Sequence, residues 1–146
     1  MSKILFQRLF LILLSICAFS MKSFGQDPIE GHWFNEEKSA KIQIYKGSNN
    51  KFYGKIVWLK EPAKNGKPKT DDLNPDSRLR TRPIVGLVIL NGFEKDGNEY
   101  EDGTIYDPKN GKTYSCKIKM KGKTLDVRGY VGVSLLGRTT VWTAAD

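Results

Sequence analysis

Alternation of apolar and polar residues with a period of two is the feature that most constrains the fold of this chain. In AKIQIY (40–45) the apolar residues are separated by polar ones, and no long helical period occurs in the sequence. Successive side chains of a β-strand point to opposite faces, so this alternation predicts half-buried strands. Such alternation, or an apolar run of strand length, predicts about eight strands: 31–34, 40–45, 51–60, 84–90, 98–106, 112–121, 123–132 and 137–142.

The connections between most of these segments carry residues that form tight turns. Asp96-Gly97 and Asn110-Gly111 supply the positive φ angles that short hairpins require, and further turn residues lie at 47–50 and 121–122. Strands joined by short hairpins are antiparallel neighbours. The chain therefore predicts an antiparallel meander.

Glycines inside the predicted strands indicate how the sheet ends. A glycine weakens a strand unless the backbone bends there or is approached closely, and such bends let a sheet curl until it closes. These glycines are Gly54, Gly86, Gly103, Gly129 and Gly132. We expect an all-β fold, an antiparallel up-and-down barrel of about eight strands, with an open β-sandwich as the alternative.

The first 25 residues have the composition of a cleaved signal peptide. Lys3 and Arg8 precede an apolar run from Leu9 to Phe19, and small residues lie ahead of Gln26. The run has 11 residues, whereas a membrane-spanning helix needs about 20. We expect residues 1–25 to be removed and residues 26–146 to form one β-barrel domain that is periplasmic or secreted.

The two cysteines have different expected roles. Cys17 would carry a lipid if the chain were a lipoprotein, but Ile16 is large for the residue before a lipidation site, so this is the weaker alternative. Cys116 is then alone and forms no internal disulfide. Because an exposed thiol is readily oxidised outside the cytoplasm, we expect Cys116 to be buried.

The exported part of the chain is basic. Removal of residues 1–25 takes away three basic residues and no acidic ones, which lowers the formal net charge from +8 to +5. The lysines are scattered rather than grouped with stacking aromatic residues, so we expect no binding to nucleic acid. We also expect no cofactor, and a monomer that associates with the envelope without a transmembrane helix.

The segment from Glu61 to Pro83 is too long for a hairpin and predicts a short helical insertion. Asn74 is a good N-cap residue, Pro75 suits the first helical position, and the final proline prevents a helix from continuing. We expect a helix of one or two turns at about 75–80, with Leu79 directed towards the core.

One functional interpretation of this segment is a metal site. Its oxygen ligands, Asp72, Asn74 and Asp76, have the spacing at which a calcium loop begins. However, Ser77 occupies the place of the required glycine, and Pro83 that of the final glutamate. The metal site is therefore only a weak candidate.

A second functional interpretation is an anion site. Alternate residues share one face of an extended segment, which would bring Arg78, Arg80 and Arg82 together. Guanidinium groups bind carboxylates and phosphates in bidentate geometry. The sequence leaves the helical and the anion-binding interpretations open.

Catalytic chemistry has few candidates. His32 is the one histidine, so the sequence indicates neither a multi-histidine metal site nor a Ser-His-Asp arrangement. A hydrolase-type enzyme would depend on carboxylates, for which the candidates are Asp72, Asp107 and Asp126.

The predicted strand 123–132 has two chemically different faces. Asp126, Arg128 and Tyr130 share one face, opposite Leu125 and Val127. If the polar face lay inside the barrel, Asp126 and Arg128 would pair, because an unpaired interior charge is costly. If it lay outside, they would be surface residues, and the sequence leaves both arrangements open.

Three features together resemble the calycins, the lipocalin and fatty-acid-binding superfamily. They are Gly31-His32-Trp33 at the first predicted strand, the eight-strand meander, and Arg138 at the start of the last strand. In that group a tryptophan of the first strand packs against a basic residue of the last strand. The resemblance therefore implies that Trp33 and Arg138 stack and close one barrel end.

Four blocks of sequence resemble a family of small exported bacterial proteins, domain of unknown function 2147. In chain order they are DDLNPDSRLRTRPIVGLVIL, GTIYDPKNGKTYSCKIKM, LDVRGYVG and LLGRTTVW. The resemblance implies a calycin-like barrel and no particular activity. The residues that it places in family blocks are Asn74, Pro75, Arg80, Arg82, Tyr106, Asp107, Pro108, Gly111, Arg128 and Gly137.

The sequence thus predicts an exported small binding protein of the cell envelope, with a small anionic or amphipathic ligand in or at the mouth of the barrel. We expect bulky residues such as Phe52, Trp58 and Leu90 to fill much of the interior. The alternatives are a carboxylate-dependent hydrolase-type enzyme and an envelope structural or interaction protein without a small ligand. Candidate ligand-binding residues are Arg80, Arg82, Tyr106, Asp107, Arg128 and Tyr130, and candidate closure residues are Trp33, Arg138, Asn74 and Pro75.

Overall fold

A computed structural model describes residues 25–145 of the chain, and almost all of its regular structure is β. The strands are β1 (Gly31–Phe34), β2 (Ala40–Lys46), β3 (Phe52–Leu59), β4 (Ala63–Lys64), β5 (Lys67–Pro68), β6 (Val88–Asp96), β7 (Glu99–Asp107), β8 (Lys112–Lys121), β9 (Thr124–Tyr130) and β10 (Arg138–Ala144). Two short 3₁₀ turns lie at Ser77–Leu79 and Ser134–Leu136. The predicted signal peptide lies, apart from Gly25, outside the described residues and stays a prediction.

Eight of these strands form a closed antiparallel barrel in the order β1-β10-β9-β8-β7-β6-β3-β2. The first strand pairs with β2 on one side and with β10 on the other. β4 and β5 form a separate hairpin within the long connection between β3 and β6. The prediction of an all-β, up-and-down barrel of about eight strands is confirmed, and the open β-sandwich alternative is wrong.

The strand predicted at 84–90 begins later than the sequence indicates. β6 starts at Val88, because Gly86 adopts a φ of 98° that interrupts an extended backbone. The N–H of Gly86 donates to the carbonyl of Ile56 (2.7 Å), and the N–H of Ile56 donates to the carbonyl of Leu87 (2.9 Å). Residues 84–87 therefore lie against β3 as an irregular approach to the strand.

One end of the barrel, formed by the β2–β3, β6–β7 and β8–β9 turns, is filled with side chains, and we call it the closed end. Residues 27–30 contribute to this packing: Ile29 is fully buried, and Asp27 accepts hydrogen bonds from Tyr100 and Lys95. The interior residues here are large and almost fully buried, namely Ile44, Phe52, Phe93, Tyr100, Ile118 and Leu125. Phe52 and Tyr100 pack edge to face, with ring centroids 5.1 Å apart.

The predicted stacking of Arg138 on Trp33 is wrong. Trp33 is buried at the closed end, lies opposite Ala144 in the β1–β10 pair, and donates from Nε1 to the carbonyl of Ile29 at 2.8 Å. Arg138 lies six residues earlier on β10, which corresponds to about 20 Å along an extended strand. The indole N–H of Trp33 therefore donates to the carbonyl of Ile29, and Arg138 lies at the opposite end of the barrel.

The helical insertion is present, but its cap differs from the prediction. The helical residues are only Ser77–Leu79, and the N-cap is Asp76, whose side chain accepts from the N–H of Arg78. Asn74 instead accepts from the N–H of Asp76 (2.8 Å), which forms an Asx turn through Pro75. Leu79 is 37% exposed rather than directed into the core, because a turn of three residues is too short to present an inward face.

Candidate functional site

The opposite end of the barrel, which we call the mouth, opens into a cavity. The β1–β2, β3–β6, β7–β8 and β9–β10 connections surround it, and its volume is about 1820 Å³. Trp142 is almost fully buried and lines the cavity, as do buried residues of β2, β3, β6 and β9. We call this cavity the cup. The apolar side chains that line it include Ile42, Ile56, Ile89, Ile105, Val127 and Trp142.

Two small residues of the wall of the cup lie on neighbouring strands. They are Gly129 on β9 and Thr140 on β10. A Cβ atom added at Gly129 would make only ordinary contacts, 3.5 Å from Ile105 and 3.7 Å from Tyr114. At the closed end, by contrast, a Cβ atom at Gly103 would lie 2.5 Å from the ring of Phe93. The barrel is therefore filled in one half and hollow in the other.

Arg138 stands at the rim of this cup. It shares one face of β10 with Thr140 and Trp142, and all three line the cavity. Within residues 25–145 the Arg138 guanidinium makes no hydrogen bond and no ion pair. The guanidinium acts on Glu37 at longer range. The pKa of Glu37 is lowered mainly by Lys109 and, to a smaller extent, by the charge of Arg138. The wall thus combines an apolar interior with a cation available at the opening.

Beside the cup, the buried carboxylate of Asp71 accepts three hydrogen bonds and forms an ion pair with Arg82. Arg82 donates from Nε to Oδ2 (3.0 Å), and its Nη2 lies 2.9 Å from the same oxygen in an ion pair. Asn74 also donates from Nδ2 to Oδ2 (2.8 Å). Tyr106 donates its hydroxyl to Oδ1 at 2.6 Å. This cluster, which we call the Asp71 cluster, fastens the insertion to β7.

The electrostatics of the Asp71 cluster follow from these contacts. Burial alone would raise the pKa of Asp71, but the hydrogen bonds from Tyr106, Asn74 and Arg82 outweigh it and lower the pKa below its ordinary value. Burial, followed by the bond to Asp71, raises the pKa of Tyr106 to about 12. Asp71 is therefore charged and Tyr106 protonated near neutral pH, a pairing that stabilises the fold.

The structure brings some of the predicted ligand-binding residues together and separates others. Tyr106 and Asp107 line the cup, and Tyr106 also lines a smaller cleft of about 690 Å³ together with Arg82. Arg80 lines neither cavity and donates from Nε to the carbonyl of Asn74 at 2.7 Å. Arg82 and Arg80 both hold the insertion together, so they do not form one extended anion site.

The polar face of β9 lies outside the barrel, which is one of the two arrangements that the sequence leaves open. Leu125 and Val127 are the buried residues of β9. Asp126 pairs with Lys121 at 2.7 Å, and Arg128 donates to the carbonyls of the β9–β10 connection. Of the ligand-binding candidates, Arg128 and Tyr130 are absent from the lining of the cup, because alternation places Val127 and Gly129 there.

Two of the three residues of the weak metal candidate, Asn74 and Asp76, already have protein partners for their side-chain oxygen atoms. Asn74 accepts from the N–H of Asp76, and Asp76 forms an ion pair with Arg78 at 2.8 Å. Within residues 25–145 no group of three or more acidic, histidine or cysteine side chains is placed to hold a metal ion. Cys116 is fully buried, and burial raises the pKa of its thiol to about 12.

Two residues of the site were not recognised from the sequence. Asp71 is not among the candidates that the sequence indicates, because nothing local distinguishes it from the exposed Asp72 beside it. Arg138 is predicted as a closure residue stacked on Trp33, whereas in the structure it lines the cup. Its true place was signalled by the alternation of Arg138, Thr140 and Trp142, which predicts a shared inner face once Trp142 is taken as core.

A closed eight-stranded barrel with a hollow, open mouth belongs to the lipocalin-like class. The chain resembles in fold the protein HP1028 from the human pathogen Helicobacter pylori, whose structure is described as belonging to the lipocalin family; the TM-score is 0.73, the sequence identity 25%, and the similarity covers 84% of this chain and 85% of that one. Residues 31–144 match the family described as an uncharacterized protein conserved in bacteria, DUF2147, and the protein therefore belongs to this family. Comparison with curated proteins gives no match.

Both resemblances noted in the sequence are thus confirmed, and both bear on the barrel rather than on an activity. A lipocalin-like barrel is compatible with binding of a small ligand. No helix in residues 25–145 has the length and apolar character needed to cross a membrane.

Proposed function

We propose that this protein is exported and binds a small anionic amphiphile in the cell envelope. The apolar part of the ligand lies in the cup, and its anionic group lies at the mouth beside Arg138. The observation that supports this most directly is the pairing of a hollow apolar cup with a guanidinium that has no hydrogen-bonding partner within the described residues.

The size and lining of the cup suit an apolar chain. A volume of about 1820 Å³ exceeds the range of roughly 300–1,000 Å³ of ordinary ligand pockets, because the mouth is open. Transfer of apolar surface from water to the aliphatic and indole groups of the wall is favourable by about 25 cal/mol per Å². The almost fully buried Trp142 limits how far into the barrel a ligand can reach.

The preference for an anion follows from Arg138. Its strand position fixes the side chain at the rim, where a carboxylate or phosphate would remain partly hydrated. Guanidinium groups bind such anions through two parallel hydrogen bonds. The charge of Arg138 lowers the pKa of Glu37, but Glu37 is hydrogen-bonded to Lys109 at 2.6 Å. The N–H groups of the Arg138 guanidinium are therefore available to a ligand.

Equilibrium binding of a fluorescent carboxylate, a dansyl-labelled undecanoic acid, tests this proposal. We expect the wild-type chain to bind it and Arg138→Ala to weaken binding at least tenfold, because both charge-assisted hydrogen bonds to the carboxylate are lost. Arg78→Ala is the matched control, because Arg78 is exposed and lines neither cavity. The alcohol analogue of the probe should bind equally to the wild type and to both variants.

A second variant tests whether the ligand occupies the cup itself. Thr140→Phe adds a ring to the inner wall beside Trp142, so it should abolish probe binding while leaving the β-sheet circular dichroism spectrum unchanged. Full binding by a folded Thr140→Phe protein, or no binding by the wild type, would remove the support for a ligand in the barrel.

Export is supported by the sequence of residues 1–25 alone. Mass measurement of the protein recovered from the periplasmic fraction of a bacterial host should give a chain that begins at Gln26. An intact chain recovered from the cytoplasm would contradict this part of the proposal.

A further inference from the structure

The connection between β9 and β10 projects large apolar side chains into solvent at the mouth. Leu135 is 89% exposed and Leu136 79%, and Val131 and Val133 are also more than half exposed. We call residues 131–136 the apolar tip. Scattered single apolar residues are normal on a surface, whereas several grouped on one loop mark an interaction site.

The apolar tip is held in a fixed shape rather than left to collapse onto the barrel. Arg128, on the outer face of β9, donates to the carbonyls of Ser134 (2.7 Å) and Leu135 (3.3 Å) and to Oγ1 of Thr139 (2.8 Å). A 3₁₀ turn spans Ser134–Leu136, and the following Gly137 is needed because a Cβ atom there would lie 2.6 Å from the carbonyl oxygen of Gly129. These contacts satisfy the backbone and leave the leucine side chains directed into water.

The charges of the two barrel ends differ. The connections at the mouth and the strand ends beside them, residues 35–39, 60–83, 107–112 and 131–138, hold eleven basic and seven acidic residues. The connections at the closed end, with the strand ends beside them and the leading segment, residues 25–30, 46–51, 94–99 and 121–124, hold five of each. Nearly all of the net positive charge of the exported chain is thus at the end that carries the apolar tip.

We propose that the mouth docks on an anionic membrane surface, with the apolar tip inserted among the lipid headgroups. Apolar side chains that enter the interface and basic residues that face anionic lipids are the two contributions on which reversible membrane binding depends. An anionic membrane fits both the apolar tip and the basic connections, whereas a neutral apolar partner would make no use of the positive charge. This inference goes beyond the proposed function and stands or falls independently of it.

Vesicle sedimentation tests the docking. The protein is used from Gln26 onwards, which retains all ten strands and removes the apolar run of residues 9–19, because that run would bind lipid by itself. We expect it to sediment with vesicles of phosphatidylcholine containing about one-third phosphatidylglycerol, and at least tenfold less with phosphatidylcholine alone. In about 1 M NaCl, where the Debye length is about 3 Å, binding to the anionic vesicles should fall to the level seen with phosphatidylcholine.

Matched variants separate the two contributions. Leu135→Ser with Leu136→Ser should reduce binding to anionic vesicles at least tenfold, whereas Val141→Ser, at an exposed apolar position on the outer face of β10, should change it less than twofold. Lys64→Ala with Lys67→Ala, in the exposed β4–β5 hairpin, should reduce binding several-fold. None of these residues belongs to the Asp71 cluster, and each variant is checked by its thermal unfolding midpoint.

The proposal is overturned if the wild type binds neither vesicle, if it binds both equally, or if the double leucine variant binds as the wild type does. A change in sedimentation coefficient of the double leucine variant, with no vesicle binding by the wild type, would show instead that the apolar tip joins two copies of the chain. Binding of the dansyl probe in vesicle-free buffer should be the same for the double leucine variant and the wild type, so failure of docking is distinguishable from failure of ligand binding.

Discussion

At the scale of single residues, the carboxylate of Asp71 determines how the long insertion is attached to the barrel. It is completely buried, and its two oxygens accept from a guanidinium, an amide and a phenol. A buried charge is tolerated only when it is paired and hydrogen-bonded in this way. The charged segment that follows it is therefore mainly a structural attachment.

Replacing Asp71 with alanine should lower the free energy of unfolding by about 2–4 kcal/mol, because Tyr106 and Asn74 lose their acceptor and Arg82 its counterion. Urea titration measures the difference. The adjacent Asp72 is exposed, so Asp72→Ala should change the free energy by less than about 0.5 kcal/mol. Equal effects of the two substitutions would contradict the asymmetry of the two carboxylates.

The stability should also depend on the ionisation of Tyr106. Its pKa in the folded protein is about 12, above the value of about 10 of an unfolded chain. The contribution of its hydrogen bond is therefore fully present below about pH 10 and is lost as the pH rises towards 12. The contribution of Asp71 depends on pH in the opposite direction. Because the pKa of Asp71 is lowered in the folded protein, its contribution is present above the ordinary pKa of an aspartate and is lost as the pH falls through the lowered value.

Absorbance at alkaline pH measures this titration. The difference between the wild type and Tyr106→Phe should give one ionisation centred near pH 12. Tyr100 also titrates late, because burial and its bond to Asp27 raise its pKa, so only the difference curve isolates Tyr106. A difference curve centred near the ordinary value of about 10 would show that the hydroxyl is not held by Asp71.

At the scale of elements, β1 and β10 seal the closed end through Trp33 and leave Arg138 to the mouth. Trp33→Ala should lower the free energy of unfolding by about 3–5 kcal/mol, because it removes a buried ring and its bond to Ile29. Arg138→Ala should change it by less than about 0.5 kcal/mol. Thermal and urea unfolding measure both, and comparable losses would restore the stacked pair that the calycin resemblance implied.

The elements also show where sequence reasoning was effective. Strand alternation and the turns at Asp96-Gly97 and Asn110-Gly111 predicted β2, β7 and β8 to within one or two residues at either end. The cap of the insertion differs from the prediction, because Asn74 and Asp76 are both good cap residues and the local sequence does not distinguish them. Likewise, the inner face of β9 was left open, since a polar and an apolar face both satisfy the alternation.

At the scale of the whole molecule, the barrel is packed in one half and hollow in the other, and two inward glycines report on the two halves. Gly103→Ala should lower the free energy of unfolding by about 1–3 kcal/mol, because the new methyl group would overlap Phe93. Gly129→Ala meets only ordinary contacts, so it should be neutral or stabilising by up to about 1 kcal/mol. Urea titration of both variants checks this, and a large loss at Gly129 would mean that the cup is filled.

The fold as a whole was predicted more fully than the site. Closure was inferred from glycine bends and hairpin order, which are local properties. The extent to which side chains fill the interior was not predicted correctly, because Trp58 is expected inside but is 40% exposed. Beside it, an irregularity between Lys41 and Ile42 shifts the register of β2 against β3. Such a shift changes which face a side chain joins, and nothing local in the sequence marks it.

The pairing of β1 with β10 has a consequence for biosynthesis. Trp33 meets Ala144, so a nascent chain cannot complete its barrel until residues 138–144 have left the ribosome. Until then β1 and β9 each present a row of unsatisfied backbone groups, which are templates for pairing with other chains. Such sequence-distant pairing makes folding slow and late. A chaperone that holds the unfinished polypeptide would suppress aggregation without opposing a native structure, because none yet exists.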